Sequence, residues 1–471
     1  MQKKFYITTT APYVNSDPHI GFALEIIQAD TIARYHRLLG EEVIFGFGTD
    51  EHGLKIYRKA LEEKLTPQKY CDQSVGTWND LKQALNLSYT HFIRTTDKHH
   101  LEAAQELWRR CLKKGDIYKK TYKSKYCVGC ELEKTDSELE NGRCPIHPNI
   151  EIELIEEENY FFKFSKYQKP LVEFYEKNPD FVVPRSKFQE IKTFVKSGLQ
   201  DFSLSRLKNK MPWGVPIPDD PEQVMYVWFD ALTFYISNLG WPKEEKKFKD
   251  FWPGIQVAGK DNLRQQTAIW QAMLMSGDLP NSKQIFIHGF MTKDGKKISK
   301  SLGNTVDPAE LVRQYGTDSV RYFLLAKIHP FNDSDFTIQL FEEAYNADLA
   351  NGLGNLVSRV AKMAEKEELM GIEMTEFSEP NELFNYLNNY EFNLALEVLW
   401  QEFRQLDQVI AKDKPWEKTS HEKKDLLVGY ITNILNLNHW LKIFLPETAE
   451  KIEKIFSGSK IKIDQGLFPR L

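Results

Sequence analysis

Apolar and polar positions alternate between two periods along this chain, and the switches between them outline its elements. A short β-type run from Phe5 to Thr10 predicts a first strand, and a helical pattern follows from about Ile20 to Leu38. "EEVIFGFGTDEHG" then reads as a second, buried strand, so the chain opens as a βαβ unit. From Leu54 to about Lys114 charged and aromatic residues recur at helical spacing. A compact cysteine-bearing segment comes next. From Val224 the α/β pattern returns with "VMYVWFDAL", a strand in "IQVAGKD", a helix to about Met275 and a strand in "QIFIHGF". The sheet-forming pattern is thus interrupted by an insertion. Beyond residue 340 the strand patterns stop. Ala395, Leu399, Phe403, Leu406 and Ile410 share one helix face, Pro415 ends that helix, and helical runs continue from Lys424 to Phe456. They predict an all-helical bundle.

Composition changes this picture little. At 471 residues, 41% of them hydrophobic and 13% aromatic, the chain can build full cores in roughly two to four domains. A formal charge of −5 argues against wholesale electrostatic binding to nucleic acid, although local basic faces remain open. Lys113, Lys114, Lys119, Lys120, Lys123 and Lys125 form such a tract, read here as either a basic face or a solvated loop. No apolar run approaches the ~20 residues of a membrane span, and "MQKKFYITTT" has neither a long apolar core nor a cleavage site. A cytoplasmic protein without membrane contact is expected. Cys71 and Cys111 lie in helical patterns and read as reduced core residues.

The remaining three cysteines carry chemistry. Cys127-x-x-Cys130 is followed after 13 residues by Cys144-x-x-His147, the spacing of a closed tetrahedral zinc site. With four protein ligands the Zn2+ is expected to be structural, one per chain. Phosphate chemistry is signalled elsewhere. There is no G-x-G-x-x-G after a strand, and "GFMTKDGKK" only imitates a P-loop because Lys297 stands where a magnesium-binding Ser or Thr is needed. Pro18-His19-Ile20-Gly21, by contrast, sits between a strand and a helix start, where backbone N–H groups point outward and favour phosphate. "KKISKSLGN", residues 296 to 304, adds Lys297 and Lys300 in a glycine-flanked loop.

Taken together, His19-Ile20-Gly21 and Lys297-Ile298-Ser299-Lys300-Ser301 resemble the two signatures of class I aminoacyl-tRNA synthetases. "APYVNSDPHIG", "GTDEHG", "VWFDAL", "GKD" and the cysteine knuckle, in that order, resemble the methionyl-tRNA synthetase family over essentially the whole chain. The resemblance implies a Rossmann-like parallel-sheet catalytic domain split by a zinc-containing insertion and followed by an α-helical bundle. It implies ATP with Mg2+, L-methionine and tRNA(Met) as partners, and ligation of methionine to tRNA through methionyl-adenylate. His19, Lys297 and Lys300 are then the expected donors to the phosphates as charge builds. Gly21, without a Cβ, is expected to let the nucleotide approach the backbone. Gly259 and Asp261 belong with ATP, Asp261 by accepting from the ribose hydroxyls. Asp50 would bind the amino group of the amino acid. Its side-chain slot would comprise Ala11, Tyr13, Trp228, Ala231, Leu232, Tyr235 and Gln266. Asn355, Arg359 and Trp416 match positions that read the anticodon, and an indole can stack there on an unpaired base.

Two departures from the family pattern stand out. Phe22 occupies the place of a second histidine, so backbone N–H groups of the helix start, together with His19, Lys297 and Lys300, are expected to supply that donor. Gln265-Gln266 replaces an aromatic–histidine pair beside the slot. By segment, the expectation is a catalytic domain in 1–114 and 224–295, a connective insertion with the knuckle in 115–223, the lysine loop and a stem-contact region in 296–345, and an anticodon-binding domain in 346–471. The segment 115–223 is too short to hold an editing domain as well as the knuckle. The chain ends at "LFPRL" directly after the bundle, which implies a monomer without a further tRNA-binding domain. A ligase for another amino acid and an inactive tRNA-binding paralogue are the alternative functions.

Overall fold

A computed structural model describes residues 2–15, 17–130, 132–134, 138–293, 295–298 and 305–471, without the side chains of 122, 124, 132, 133, 155, 157, 296 and 297. It divides into two compact units interleaved in sequence, one of residues 1–17, 42–80 and 89–287, the other of residues 18–41, 81–88 and 288–471.

The first unit is built on a six-stranded sheet in the order His91–Arg94, Glu42–Thr49, Lys4–Thr8, Ile255–Gly259, Gln284–His288 and Val182–Val183. Lys4–Thr8 pairs in parallel with both Glu42–Thr49 and Ile255–Gly259. The chain therefore winds outward on one side of the first strand and returns on the other. That reversal places a crevice at the carboxyl ends of Lys4–Thr8 and Ile255–Gly259, where ligands of open α/β sheets bind. Continuous burial of Val43 to Thr49 explains why this strand reads as an unbroken apolar run. The sheet's apolar core includes Tyr6, Trp108, Phe229, Phe234 and Trp270.

One expectation is corrected here. The stretch from Leu54 to Lys114 is not helical throughout, because His91–Arg94 pairs in parallel with Gly46–Thr49 as the edge strand between the Pro67–Ala84 and Lys98–Lys113 helices. Four residues are too few to show a period, and only the neighbouring strand makes them β.

The insertion forms an antiparallel sheet in the order Leu132–Lys134, Ile117–Cys127, Glu153–Phe162 and Phe202–Ser203. Lys119, Lys120, Lys123 and Lys125 consequently lie on a strand and not in a loop. Lys119 pairs at 2.9 Å with Asp220, which lies outside this sheet, and Lys123 pairs at 3.0 Å with Glu156 on the neighbouring strand. In the register of this pair Lys123 stands directly opposite Glu156, whereas Lys119 stands opposite Tyr160.

The second unit contains the Ile20–Leu38 helix and the helices Asn355–Lys366, Phe392–Asp413, Ser420–Leu441 and Pro446–Phe456. Ala395, Leu399, Phe403, Leu406 and Ile410 are all buried on Phe392–Asp413, as their spacing predicts. Lys414, with φ of 49°, ends that helix before Pro415. The Ile20–Leu38 helix is anchored by Asp30, which accepts from Arg34 at 2.7 Å and pairs with fully buried Arg321 at 2.9 Å. Arg321 also donates to the carbonyls of Phe444 and Leu85. Among the described residues, no helix is long and apolar enough to cross a membrane.

Candidate active site and metal centre

The ends of two neighbouring strands position the expected amino-acid contacts. Past Lys4–Thr8 the chain runs beside the end of Glu42–Thr49, with Asp50 N–H donating to Pro12 O at 2.9 Å and Val14 N–H to Asp50 O at 3.3 Å. Tyr13 and Asp50 are thereby bridged in parallel, and Asp50 is buried. Trp228, Ala231, Leu232 and Tyr235 lie on the Val227–Ser237 helix at offsets of three, four and seven, hence on one face. Trp228 and Ala231 are only partly buried, and the buried indole N–H of Trp228 finds no acceptor among the described residues.

Gln265 and Gln266 begin a single π-helical turn, Gln265–Ile269, and both are buried. Gln266 donates to the Tyr235 hydroxyl at 2.5 Å, so the residue that replaces a family ring is tied to the wall of the slot. Gly259 closes its strand. Asp261 lies beyond it in the turn Lys260–Asn262 and is exposed.

Sequence reasoning left two buried networks unassigned, although Glu51, His52 and Asp230 at their centres stand inside the quoted motifs. Glu51, next to Asp50, receives both Nε and Nη2 of Arg94 at 2.6 and 2.8 Å and the hydroxyls of Thr49 and Thr96 at 2.7 Å. Asp230, in "VWFDAL", is held by His52 of "GTDEHG" at 2.6 Å and by His100 at 2.8 Å. Burial alone would raise the Asp230 carboxyl. The charge of His52 and the hydrogen bonds from both imidazoles outweigh it and bring the pKa down to about 2.

At the helix start, His19 is the N-cap, with φ −123° and ψ 165°, and its Nδ1 accepts from Gly21 N–H at 3.1 Å. A neutral ring with Nδ1 accepting carries its proton on Nε2. A Cβ at Gly21 would lie 3.0 Å from His19 Cε1, so any larger residue would push on the capping ring. The expectation that backbone N–H groups here point outward is corrected. Ile20 N–H donates to Val306 O, Gly21 to His19 Nδ1, and Phe22 and Ala23 to His19 O. The orphan donors of this first turn are satisfied internally. Phe22 itself is buried. Lys300, Ser299 and Ser301 lie outside the described residues, as does the side chain of Lys297.

Cys127, Cys130, Cys144 and His147 come together as the spacing predicts, their ligand atoms all within 4.8 Å of one another. Cys130 Sγ is 3.4 Å from Cys144 Sγ and 3.2 Å from His147 Nδ1. Zinc–ligand bonds of about 2.0–2.3 Å place tetrahedral neighbours about 3.5–3.8 Å apart, so these donors need only adjust in position to hold one metal ion of this kind. Gly129 makes room, because a Cβ there would meet the His147 ring at 2.4 Å.

In the second unit Asn355 is exposed at the start of Asn355–Lys366, and Arg359 one turn later pairs with Asp407. Trp416, in the turn Pro415–Glu417, is 53% exposed.

A family profile described as tRNA synthetases class I (M) matches residues 5–151 and 133–361. The chain is 48% identical over 372 residues to a methionine–tRNA ligase of Thermosynechococcus vestitus, covering 78% of this chain and 70% of that protein. A methionine–tRNA ligase of Caldanaerobacter subterraneus is 38% identical over 515 aligned positions, covering 100% of this chain and 79% of the other. Among solved structures, Mycobacterium tuberculosis methionyl-tRNA synthetase in complex with methionyl-adenylate is similar over 100% of both chains, with a TM-score of 0.93 and 33% identity.

Proposed function

The chain belongs to the methionyl-tRNA synthetases of class I, and we propose that it activates methionine with ATP and transfers it to tRNA(Met). What carries this reading is the likeness, over the full length of both chains, to a structure holding methionyl-adenylate. In the first step a methionine carboxylate oxygen bonds to the α-phosphorus of ATP and pyrophosphate leaves with the breaking P–O bond. In the second a terminal ribose hydroxyl of the tRNA attacks the carbonyl carbon, loses its proton and expels AMP. Neither step needs a covalent enzyme intermediate, so positioning and charge stabilisation carry the catalysis.

Asp50 takes the ammonium group of methionine, its buried carboxylate favouring a cation. Trp228, Ala231, Leu232 and Tyr235, with Ala11 and Tyr13, take the thioether, whose sulfur gains up to about 1.5 kcal/mol against a ring. Gln266 orients the Tyr235 hydroxyl. Asp261 accepts from the ribose and Gly259 leaves room for the nucleotide. His19 offers Nε2–H to the phosphates, with Lys297 and Lys300 alongside, and Mg2+ accompanies the ATP. Because the backbone donors of the helix start are engaged, His19 and the lysines must do without them, and Phe22 adds no donor of its own.

Cys127, Cys130, Cys144 and His147 hold a structural Zn2+ that ties together the tip of the insertion. Asn355, Arg359 and Trp416 contact the anticodon, Trp416 by stacking. The segment assignment is catalytic for 1–114 and 224–295, connective for 115–223, a lysine loop with a stem contact for 296–345 and anticodon-binding for 346–471. We place the reaction in the cytoplasm, where charged tRNA feeds translation. Pyrophosphate exchange on the purified protein tests the whole reading. Exchange that depends on methionine upholds it. Exchange with a different amino acid, or none with any, replaces it with another ligase or an inactive tRNA-binding paralogue.

A further inference from the structure

The chemistry above leaves unused a buried cluster that adjoins the amino-acid slot. Each oxygen of the Asp230 carboxylate receives one imidazole nitrogen, His52 Nδ1 at 2.6 Å on one and His100 Nε2 at 2.8 Å on the other. The chain of contacts continues to the Ser237 hydroxyl, 2.8 Å from His100 Nδ1. His100 and Asp230 are fully buried and His52 is 4% exposed. His52 lies two residues beyond Asp50, while Asp230 and Ser237 belong to the helix that carries Trp228 and Tyr235. We propose that Asp230 is a positioning residue: through His52 and His100 it clamps the Asp50 turn to the Val227–Ser237 helix and so sets the distance between the methionine amino contact and the methionine side-chain slot.

The Asp50 turn has two kinds of anchor. On the strand side its backbone is bridged to the Pro12–Val14 segment, which holds it along the sheet. On the helix side, His52 links it to Asp230 of the Val227–Ser237 helix, with Trp213 packed against the imidazole at 5.4 Å and donating to Glu51 O. A carboxylate bracketed by two rings has little freedom to slide, because any shift that improves one hydrogen bond stretches the other. An apolar contact at the same place would hold the elements together without specifying their register. A buried charged network gives up stability relative to such a contact, and fixing one geometry is what it can supply instead. The slot needs that geometry. Displacing a binding group by about an ångström is enough to undo a productive pose.

This inference rests on the reading of Asp50 as the amino-group contact, so the experiment includes that residue. Methionine-dependent pyrophosphate exchange is measured on the full chain for Asp50→Asn, His52→Ala, His52→Asn and Ser237→Ala, with KM for methionine and for ATP determined separately. In His52→Asn the side-chain amide replaces Nδ1 as the donor to Asp230. His52→Ala is expected to raise the methionine KM at least about tenfold and to change the ATP KM by less than about twofold, the signature of lost ground-state placement of one substrate. His52→Asn should recover most of that loss, and Ser237→Ala, at the far end of the chain, should show a smaller rise of the same kind. Equal rises in both KM values, or no rescue by His52→Asn, would overturn the clamp. If Asp50→Asn leaves the methionine KM unchanged, the amino-group assignment falls first and the clamp with it. If Asp50→Asn raises it and neither His52→Ala nor Ser237→Ala does, the clamp alone is wrong.

Discussion

His19 is asked to do two things at once, and substitution can separate them. Its Nδ1 caps the Ile20–Leu38 helix by accepting from Gly21 N–H, and in the function proposed above its Nε2–H donates to phosphate. His19→Ala removes both. Losing a side-chain N-cap costs about 1 kcal/mol of stability, and losing one preorganised donor to a transition-state charge costs about 2.7–4 kcal/mol of barrier, or ~10²- to 10³-fold in rate. Asparagine is among the preferred N-caps and suits the extended backbone at this position, so His19→Asn restores the cap but has no group at the place of Nε2. His19→Asn is therefore expected to unfold at the same denaturant concentration as the unmodified protein and to remain ~10²-fold or more slower in methionine-dependent pyrophosphate exchange. His19→Ala should be equally slow and also less stable. Exchange by His19→Asn within about tenfold of the unmodified rate would refute the donor role and leave His19 as a cap.

The remaining predictions concern the metal, the RNA and a buried acid. Metal analysis of protein prepared without chelator should find about one zinc per chain. Cys130→Ser should lose it and speed amide exchange in the insertion, and protein free of metal at the outset would refute the site. Trp416→Ala should lower aminoacylation about 5- to 150-fold, the equivalent of about 1–3 kcal/mol of base stacking, while pyrophosphate exchange continues; equal loss in both assays would mean that the indole supports the fold. Burial raises the Asp318 carboxyl to about 6, against the hydrogen bond from Thr448 N–H. Between about pH 4 and 6 the folded state therefore holds a proton that the unfolded chain has lost, so this group makes stability fall as pH rises through that window. Asp318→Asn should remove a fall of about 2–3 kcal/mol between those limits relative to the unmodified protein, and parallel pH profiles for the two would refute the shift.

What the sequence determined by itself is what repeats or closes locally. The Phe392–Asp413 helix shows its buried face because residues three and four apart meet on one side of any α-helix, whatever lies across from them. The Cys127–His147 knuckle is legible because its four ligands fall in two tight turns whose x-x spacing sets the separation within each pair. The Val227–Ser237 helix likewise fixes that Trp228, Ala231, Leu232 and Tyr235 share a face. Only the tertiary structure decided what depends on a partner far along the chain. His91–Arg94 is a strand because Gly46–Thr49 pairs with it, and Lys119 is neutralised because Asp220 stands across the insertion. Asp230 meets His52 from 178 residues away, a contact that no local period encodes. The donors of the Ile20–Leu38 helix start are satisfied by a carbonyl at Val306 and by the ring of His19 itself, so the open anion site expected from the strand–turn–helix pattern is closed. Periodicity reports which face of an element is apolar, whereas the identity of a buried polar group's partner is settled only when folding brings together residues that must satisfy each other away from water.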